Sequence, residues 1–573
     1  MKPAILIVTT LVLQAVWCGG FPLGVPGEWT WSRLTTPSPL VWSLVLPIVV
    51  AAIFTGFVWL GAKRIDGASR WETVAWLAGL VVAGVAWLFT VQDAAPSPHN
   101  LSKVAWVLYY PGPSGYFTEA KAMSPLAPEG GEAAGVRGEA DVGIGHKGRG
   151  YGTERGFLRD YESKMSRGDV LHIGTHPPGL IVGYRGLMRL CDASPALVNL
   201  LHTTMLDSVR EMLDVIAEQE QLRSPAPLPN GGEGLGVRGP PRSKPPFTRR
   251  DAAVLWLAGL VVHFLAALTI VPLFCLVRRT HSARSAWLAA SLWPTVPALA
   301  VFLPKSDAML PFFAISFLAL WQSAWTIHPH SIENRKSKIE NVLSFLLAGF
   351  ILWLGLFISL GMLPAVFLAA VLTMWEGWLC RPEDRIEQPA RRLLVALACA
   401  AVGFLIPIAM LYFTTGMNLF AVWSWNLHNH SGFYSQYSRT YWKWLLVNPI
   451  ELTIAAGVPL VVLAITANGG SRAEWRRRAC GPVWACLTTW LALWLSGKNM
   501  GEAARLWIII MPWFVWLAAR AFDNEVECAA HSRSHQSALT HPPLLWLVVL
   551  ILQFVVTLSI VLNVGGFDVP AVR

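Results

Sequence analysis

Acids, histidines and cations are concentrated in one polar stretch of an otherwise apolar chain. The stretch runs from Asp160 to Gly179 and reads Asp-Tyr-Glu-Ser-Lys-Met-Ser-Arg-Gly-Asp-Val-Leu-His-Ile-Gly-Thr-His-Pro-Pro-Gly, with histidines at His172 and His176. The two prolines exclude a helix interior at its end, because proline lacks the backbone donor and restricts the residue before it. A chain this apolar has little use for such a loop unless the loop does chemistry.

Three smaller polar groups occur where apolar runs end. They are Tyr116-Phe-Thr-Glu119, Lys305-Ser-Asp307 and Glu502-Ala-Ala-Arg505. Ionisable residues at the ends of membrane spans are functional candidates. For any single one, a local ion pair or a side chain reaching for water explains the sequence equally well. Their convergence on one side of the membrane, argued from the loops below, favours function.

The composition is that of a membrane protein. Of the 573 residues, 54% are hydrophobic and only 14% are charged, against roughly 25% charged in soluble domains. The net charge of +10 is therefore interpreted as a bias of cytoplasmic loops, which excludes nucleic acid as a partner. Eight cysteines are scattered without a Cys-x-x-Cys pair, so neither a disulfide framework nor a zinc site is predicted.

Thirteen apolar runs approach the ~20 residues that a helix needs to cross ~30 Å of hydrocarbon. Each must be helical, since backbone groups in lipid have to pair within their own segment. We therefore predict an all-α integral membrane protein of about 13 transmembrane helices, within a range of about 12–15, and a long extracytoplasmic loop that carries short helices. The runs cover approximately 4–18, 39–62, 72–92, 252–277, 283–303, 308–326, 343–361, 362–378, 391–413, 448–468, 482–496, 504–522 and 543–563.

The Lys/Arg-rich loops predict which polar groups share a side. Loops at 63–70, 278–284, 335–338, 391–392 and 472–478 carry the basic residues and should be cytoplasmic. The same alternation of spans places 93–251, 304–307, 414–447 and 498–502 together on the opposite side. The apolar but interrupted stretch 178–218 forms either a short hairpin in the membrane or amphipathic helices at the interface, and both alternatives preserve this arrangement.

The chain divides into N-terminal transmembrane helices (1–92), an extracytoplasmic catalytic loop region (93–251) and a transmembrane bundle (252–573). The loop region contains two related segments, Gly130–Gly138 and Gly231–Gly239, in which seven of nine positions are identical. These lie in Gly/Pro-rich insertions at 124–150 and 224–246, which we predict to be disordered because they are poor in apolar residues. Deletion of both should leave folding intact.

Four motifs in order along the chain resemble those of the polytopic GT-C glycosyltransferases, which include protein mannosyltransferases and the bacterial lipid A aminoarabinose and mannosyl transferases. They are the helix start from Tyr116 to Ala120, Arg167-Gly-Asp-x-x-His172-x-x-x-His176-Pro-Pro-Gly, Pro304-Lys-Ser-Asp307-Ala and Gly501-Glu502-x-x-Arg505-x-Trp507. The resemblance covers roughly 93–326 and 490–522.

The resemblance implies an inverting transfer of a sugar from a polyprenyl-phosphate donor to a sugar, lipid or protein acceptor. It implies a bacterial inner membrane, with the active face extracytoplasmic. A carboxylate would act as general base, an effect of ~10²–10⁴-fold, and fixed cations would stabilise the departing phosphate. Lys305, Arg505 and His176 would supply positive charge, and Tyr116, His172, Asp307 and Glu502 would complete the donor and substrate site. No metal ligand is predicted, and a divalent cation is the only cofactor left open.

One departure from the family pattern concerns the base. These families usually carry an acid about four positions before the tyrosine, where this chain has Gly112. The base would then be Glu119 or Asp160. If neither reaches the reaction centre, the protein is inactive or has changed its chemistry. The alternatives to a transferase are a transporter or flippase of lipid-linked sugars, which typically carries inverted repeats that are not visible here, and a non-catalytic membrane protein of the same fold.

Overall fold

The structure is a computed structural model that describes residues 7–8, 10–11, 23–34, 41–109, 115–123, 154–166, 172–223, 248–326, 335–468, 477, 480–532 and 544–570. The insertions at 124–150 and 224–246, most of the first predicted span (4–18) and Gly112 lie outside these ranges. The predicted all-α membrane architecture is confirmed.

The described residues form helices and four two-residue strands. The strands are β1 (Gly24–Val25), β2 (Trp29–Thr30), β3 (Ser32–Arg33) and β4 (Val564–Gly565). The helices are α1 (Val41–Ala62), α2 (Arg70–Asp93), α3 (Lys103–Tyr109), α4 (Tyr116–Ala122), α5 (Glu154–Arg159), α6 (Tyr161–Met165), α7 (His172–Thr175), α8 (Gly179–Ala193), α9 (Pro195–Thr204), α10 (Asp207–Arg223), α11 (Arg249–Leu268), α12 (Ile270–Val277), α13 (Ala283–Ala290), α14 (Pro297–Phe302), α15 (Leu310–Trp325), α16 (Arg335–Ile358), α17 (Leu363–Met374), α18 (Pro389–Thr415), α19 (Leu419–Gln436), α20 (Tyr441–Ala456), α21 (Val458–Ala467), α22 (Gly481–Leu495), α23 (Ala503–Leu506), α24 (Met511–Ser532) and α25 (Leu544–Asn563).

Within the described ranges, nine helical segments are long and apolar enough to cross a membrane, or ten if one bent pair counts as a span. The expected count of thirteen is therefore wrong for the part of the chain that the structure describes. Three predicted spans differ for local reasons: 448–468 bends by 102° between α20 and α21, 482–496 is the 15-residue α22, and 504–522 is interrupted between α23 and α24. The nine segments are Ser43–Gly67, Arg70–Asp93, Arg249–Val277, Ala283–Phe302, Ser306–Trp325, Ile339–Ile358, Leu360–Leu379, Pro382–Thr415 and Leu544–Asn563.

The bend between α20 and α21 has a steric cause. Gly457 lies between the two helices with φ of +92°, and a Cβ added there would lie 2.0 Å from the Gln553 Oε1 atom of α25. Glycine adopts this backbone conformation readily, and it alone leaves space for the Gln553 side chain. The apolar pattern of 448–468 does not reveal such a bend, because hydropathy reports burial in lipid and not helix direction.

The segment Ala283–Phe302 is the central element of the bundle, and residues 284–302 of it are all buried inside the protein. Small residues allow neighbouring helices to approach it, while two tryptophans fix it: Trp287 donates to the Val58 carbonyl and Trp293 to the Ala266 carbonyl, at 2.9 and 2.7 Å. This rigid segment leads directly into Pro304-Lys305-Ser306-Asp307 and so positions that polar group.

Contacts gather the predicted cytoplasmic loops at one end of this segment. The Arg284 amide donates to Asp66, His281 lies 2.5 Å from Asp523, and Arg392 donates to the Trp325 carbonyl. The polar groups at 304–307 and 502–505 meet at its other end. The division into two groups agrees with the sequence argument, and which group faces the cytoplasm stays a prediction.

The interrupted stretch 178–218 forms α8, α9 and part of α10. α8 has 15 residues and α9 has 10, and neither reaches the ~20 residues required to cross the hydrocarbon. Their inner faces bury Ile181, Met188 and Leu201 against the loop region. They bring Gly179, which ends the His-Pro-Pro-Gly motif, against the bundle.

Candidate active site

Lys305 and Asp307 lie two residues apart and line two different cavities. Lys305 lines a cavity of about 360 Å³, whereas Asp307 lines a second one of about 420 Å³. The peptide between them follows the buried end of α14, so the partition is held by the fully buried segment of the bundle. Two other short segments, 175–180 and 357–361, also contribute residues to both cavities.

The first cavity, here called the apolar cavity, has almost wholly apolar walls. In the described part of the chain its polar lining side chains are Tyr116, Tyr184, Lys305 and Ser306, and of these Lys305 is the charged one. Val261 is 36% exposed on a candidate span, so the cavity reaches the lipid-facing surface there. The apolar walls are Val107, Leu108, Leu180, Val182, Leu187, Val261, Val262, Leu265, Met309, Phe313, Leu354, Phe357 and Ile358.

The second cavity, here called the mixed cavity, combines apolar and polar walls. Leu310, Leu363, Phe367 and Leu493 are among its apolar lining residues. Asp307 is the carboxylate that lines it in the described part of the chain. The other polar lining side chains are Thr175, His176, Ser359, Asn426, His430, Thr489, Lys498 and Asn499.

Arg505 links the two charged motifs. Its Nε atom lies 3.5 Å from Asp307 Oδ2, and its Nη2 atom lies 2.7 Å from Glu502 Oε2. Glu502 and Arg505, three residues apart, therefore form an ion pair, although Glu502 precedes α23 instead of lying within it. Lys305 lies in the field of the same group. Burial lowers the pKa of Lys305 to about 8, helped by Arg505 and opposed by Asp307 and Glu502.

The residues before Arg505 form a strained loop, 497–502, here called the site loop. Gly497, Asn499, Gly501 and Glu502 all have positive φ, of 67°, 62°, 84° and 58°. For the two residues with a Cβ this costs on the order of 1–3 kcal/mol each, and such strain persists only where the surroundings enforce it. Strained backbone of this kind is concentrated at functional sites, which supports a functional role for Glu502 and Arg505.

Side chains from α19 and α20 hold the site loop. The Tyr434 hydroxyl accepts a hydrogen bond from the Met500 amide at 2.9 Å. Asn448 donates to the Asn499 carbonyl at 3.4 Å. A Cβ added at Gly501 would lie 3.5 Å from the Trp444 ring, so this ring supports the loop from below.

The His176 stretch is held by its backbone, which leaves its side chains to line the mixed cavity. Tyr161 donates to the His176 carbonyl at 3.0 Å. Asn426 and Asn429, one helical turn apart on α19, both donate to the Gly174 carbonyl, at 3.0 and 2.9 Å. The Nδ1 atom of His176 lies 3.0 Å from Thr175 Oγ1.

Tyr116 connects this stretch to the apolar cavity. Its ring lies edge-on to the His176 ring, with 6.0 Å between centroids. Burial raises the pKa of the Tyr116 phenol, and Tyr161 and Asp307 add to the effect. The phenol is therefore a neutral hydrogen-bonding group at physiological pH.

Glu119 and Asp160, the two candidate bases, line neither cavity. Glu119 forms an ion pair with Lys164 beside α6. The Asp160 side chain is 52% exposed and lies 3.4 Å from Arg159. At His172 the structure describes the backbone only, as the first residue of α7. The structure thus brings together Tyr116, His176, Lys305, Asp307, Glu502 and Arg505, and it places Glu119 and Asp160 outside both cavities.

Sequence reasoning missed Asn426, Asn429 and Tyr434 as supports of the site. The segment from Trp423 to Tyr437 is rich in aromatic residues, which favour an interfacial belt over a platform for a sugar or its carrier. The asparagines are spaced by three and lie on the buried face of α19 with Leu419 and Val422. A polar pair on an apolar helix face is the signal that could have identified them.

No group of three or more His, Cys, Asp or Glu side chains that could hold a metal ion occurs among the described residues. The lining of the mixed cavity offers one carboxylate and two histidines on separate elements, His176 and His430.

Comparisons with known proteins give little beyond the geometry. No protein-family profile matches the chain, and no curated protein does. Among solved structures, the chain is similar to an oligosaccharyltransferase from Archaeoglobus fulgidus, solved in complex with zinc and sulfate, with 15% identity and a TM-score of 0.38. The alignment covers 55% of this chain and 42% of that one. Similarity this low carries no argument about the function of this chain.

Proposed function

We propose that this protein is a membrane glycosyltransferase that moves a sugar from a lipid-phosphate carrier to a hydroxyl acceptor. The observation that carries the proposal is the partition at Pro304–Asp307, where a lysine lines an apolar cavity and a carboxylate two residues later lines a cavity with polar walls. A transfer between a lipid-borne donor and a polar acceptor requires these two environments on either side of one reaction centre.

The apolar cavity suits the donor. Its walls match a polyprenyl chain, and burial of apolar area contributes about 25 cal/mol per Å². Lys305 at the polar end, with Arg505 beyond it, would bind the phosphate. Arginine can hold phosphate with two parallel donors. As the bond between the sugar and the phosphate breaks, negative charge accumulates on the phosphate, and these fixed cations stabilise it more than in the ground state.

The mixed cavity suits the acceptor. Asp307 would accept the proton of the acceptor hydroxyl. At the same time the hydroxyl oxygen would bond to the anomeric carbon on the face opposite the phosphate, which inverts the configuration of that carbon. The electron pair of the broken bond leaves with the phosphate. We assign the base to Asp307 because Glu119 and Asp160 line neither cavity. Tyr116, His176 and Glu502 would orient the sugar and the cations, and the acceptor can be a sugar, lipid or protein hydroxyl.

Turnover of a labelled donor is the test. The purified chain would be reconstituted in bilayers with radiolabelled polyprenyl-phosphate sugars, and release of free polyprenyl phosphate together with a labelled acceptor is expected. Movement of intact donor across the bilayer without cleavage would support the flippase alternative instead. If no donor is either cleaved or moved across the bilayer, the proposal is refuted and the non-catalytic alternative remains.

A further inference from the structure

An N-terminal segment of the chain is attached to the helix that supports the site loop. Residues 23–34 form a small hairpin, β1 to β2, whose turn contains Glu28. The hairpin is fixed to the rest of the protein elsewhere too: β3 pairs with β4, and the Trp31 ring packs edge-on against Phe302 of α14, with 5.6 Å between centroids.

The Glu28 carboxylate accepts four hydrogen bonds from the start of α20. The donors are the Thr440 amide and hydroxyl at 2.9 and 2.6 Å, Trp444 Nε1 at 2.8 Å and Lys443 Nζ at 3.2 Å. The Glu28 carbonyl in addition accepts from Arg439 at 2.7 Å. These five contacts are here called the Glu28 anchor. A carboxylate at a helix N-terminus is also favoured by the helix dipole.

The anchor and the site loop share their supporting residues. Trp444 donates to Glu28 with its ring nitrogen, while the same ring supports Gly501. Arg439 lies 3.4 Å from the Cβ position of Gly501. Asn448, one turn beyond Trp444 on α20, holds the Asn499 carbonyl. The strain at Asn499 and Glu502 has to be sustained by such contacts, since the loop would otherwise relax.

We propose that Glu28 is a positioning residue for the site loop: by fixing the start of α20 it holds the strained backbone that aims Arg505 at Asp307 and at the donor phosphate. The part of this inference that concerns phosphate rests on the proposed function. Glu28 lines neither the apolar cavity nor the mixed cavity, so its effect passes through Trp444 and Gly501.

The Glu28 carboxylate stays ionised in this setting. Burial raises its pKa, but the hydrogen bonds from Thr440, Trp444 and Lys443 outweigh burial and lower the pKa to about 2. The anchor is therefore intact over the whole pH range of an ordinary assay.

Hydrogen exchange and donor kinetics of the full chain in bilayers test the inference together. Glu28→Ala should accelerate exchange of the Met500 amide and raise KM for a polyprenyl-phosphate sugar by about 10- to 100-fold, because a displacement of about 1 Å at a binding group has effects of this size. Glu28→Gln keeps one acceptor oxygen, so its Met500 exchange rate and donor KM should lie between those of the wild type and Glu28→Ala. Trp444→Phe loses both the indole N–H that donates to Glu28 and the outer ring atoms that lie against Gly501, so its exchange rate and donor KM should match those of Glu28→Ala.

Ser32→Ala is the matched control. It removes a hydrogen bond of the same segment, from Ser32 to Asp568 at 3.1 Å, without touching α20, so Met500 exchange and donor KM should stay at wild-type values. Unchanged Met500 exchange in Glu28→Ala and Trp444→Phe would overturn the inference. If Met500 exchanges faster in Glu28→Ala but the wild-type protein transfers no sugar, the anchor is supported and the proposed function is refuted. The two failures are therefore distinguishable.

Discussion

Lys305 is the residue whose protonation should control donor binding. Its ammonium is the form that attracts phosphate, and burial lowers its pKa to about 8 from 10.5. Donor KM should therefore rise as pH increases beyond about 8. Lys305→Arg should remove this dependence, because a guanidinium stays charged throughout the range. Initial rates between pH 6.5 and 9.5 are the measurement, and an unchanged pH profile in Lys305→Arg would contradict the assignment.

Deprotonation of Lys305 affects folding in the opposite direction from donor binding: the free energy of unfolding increases as pH rises, whereas donor binding weakens. Between about pH 8 and 10.5 the unfolded chain binds the proton that folded Lys305 has lost, so this group makes unfolding less favourable as pH rises. A loss of donor binding above pH 8 is thus not explained by denaturation through Lys305. Thermal unfolding recorded at the same pH values provides the control.

Asp307 and Glu119 can be distinguished by isosteric substitution. Asp307→Asn should lower kcat by about 10²- to 10⁴-fold because the general base is lost, and it should change donor binding less, through the weakened ion pair with Arg505. Glu119→Gln should retain transfer, because Glu119 is paired with Lys164 away from both cavities. The reverse result would return the base to Glu119, one of the two candidates that the sequence suggested. Single-turnover kinetics with labelled donor separates binding from transfer.

Helix α8 and helix α16 meet at a contact that only glycine permits. A Cβ at Gly179 would lie 2.3 Å from the Phe357 carbonyl oxygen. Gly179→Ala should destabilise the protein by about 1–3 kcal/mol, as overpacking does, and should distort both cavities, because 175–180 and 357–361 line them. Gly186→Ala, on the same helix with open space around its Cβ position, should be neutral or slightly stabilising. Equal thermal stability of the two variants would contradict this account.

At the level of elements, the sequence predicts most helix positions but not their directions. The apolar runs at 72–92, 252–277 and 543–563 coincide closely with α2, with α11 and α12 together, and with α25, because hydrocarbon length and composition alone determine them. The bend at Gly457 depends on a glutamine of α25, which is distant in sequence. For the same reason the partition at 304–307 was not predictable: Lys305 and Asp307 are recognisable as a motif, but not as the walls of two cavities.

The arrangement of the whole molecule in the bilayer stays a prediction that can be tested directly. Ser306 and Asn499 should both be extracytoplasmic, since the basic loops alternate with them. Single cysteines at these positions, in a background without the native cysteines, should react with a membrane-impermeant maleimide from the same side. Labelling from different sides would show that the number of spans between Ser306 and Asn499 is wrong, and it would refute the proposed site. Arg279→Cys, in a predicted cytoplasmic loop, is the control for the opposite side.

The pairing of β3 with β4 has a consequence for how the chain is made. Ser32 and Arg33 leave the ribosome early, whereas their partners Val564 and Gly565 follow α25, the last described helix. Strand β3, beside the hairpin that carries Glu28, therefore cannot pair until the helices α1 to α25 have been synthesised. A nascent chain interrupted before Val564 would lack that partner, so the Glu28 hairpin could take its final position only after the helices α1 to α25 have been made.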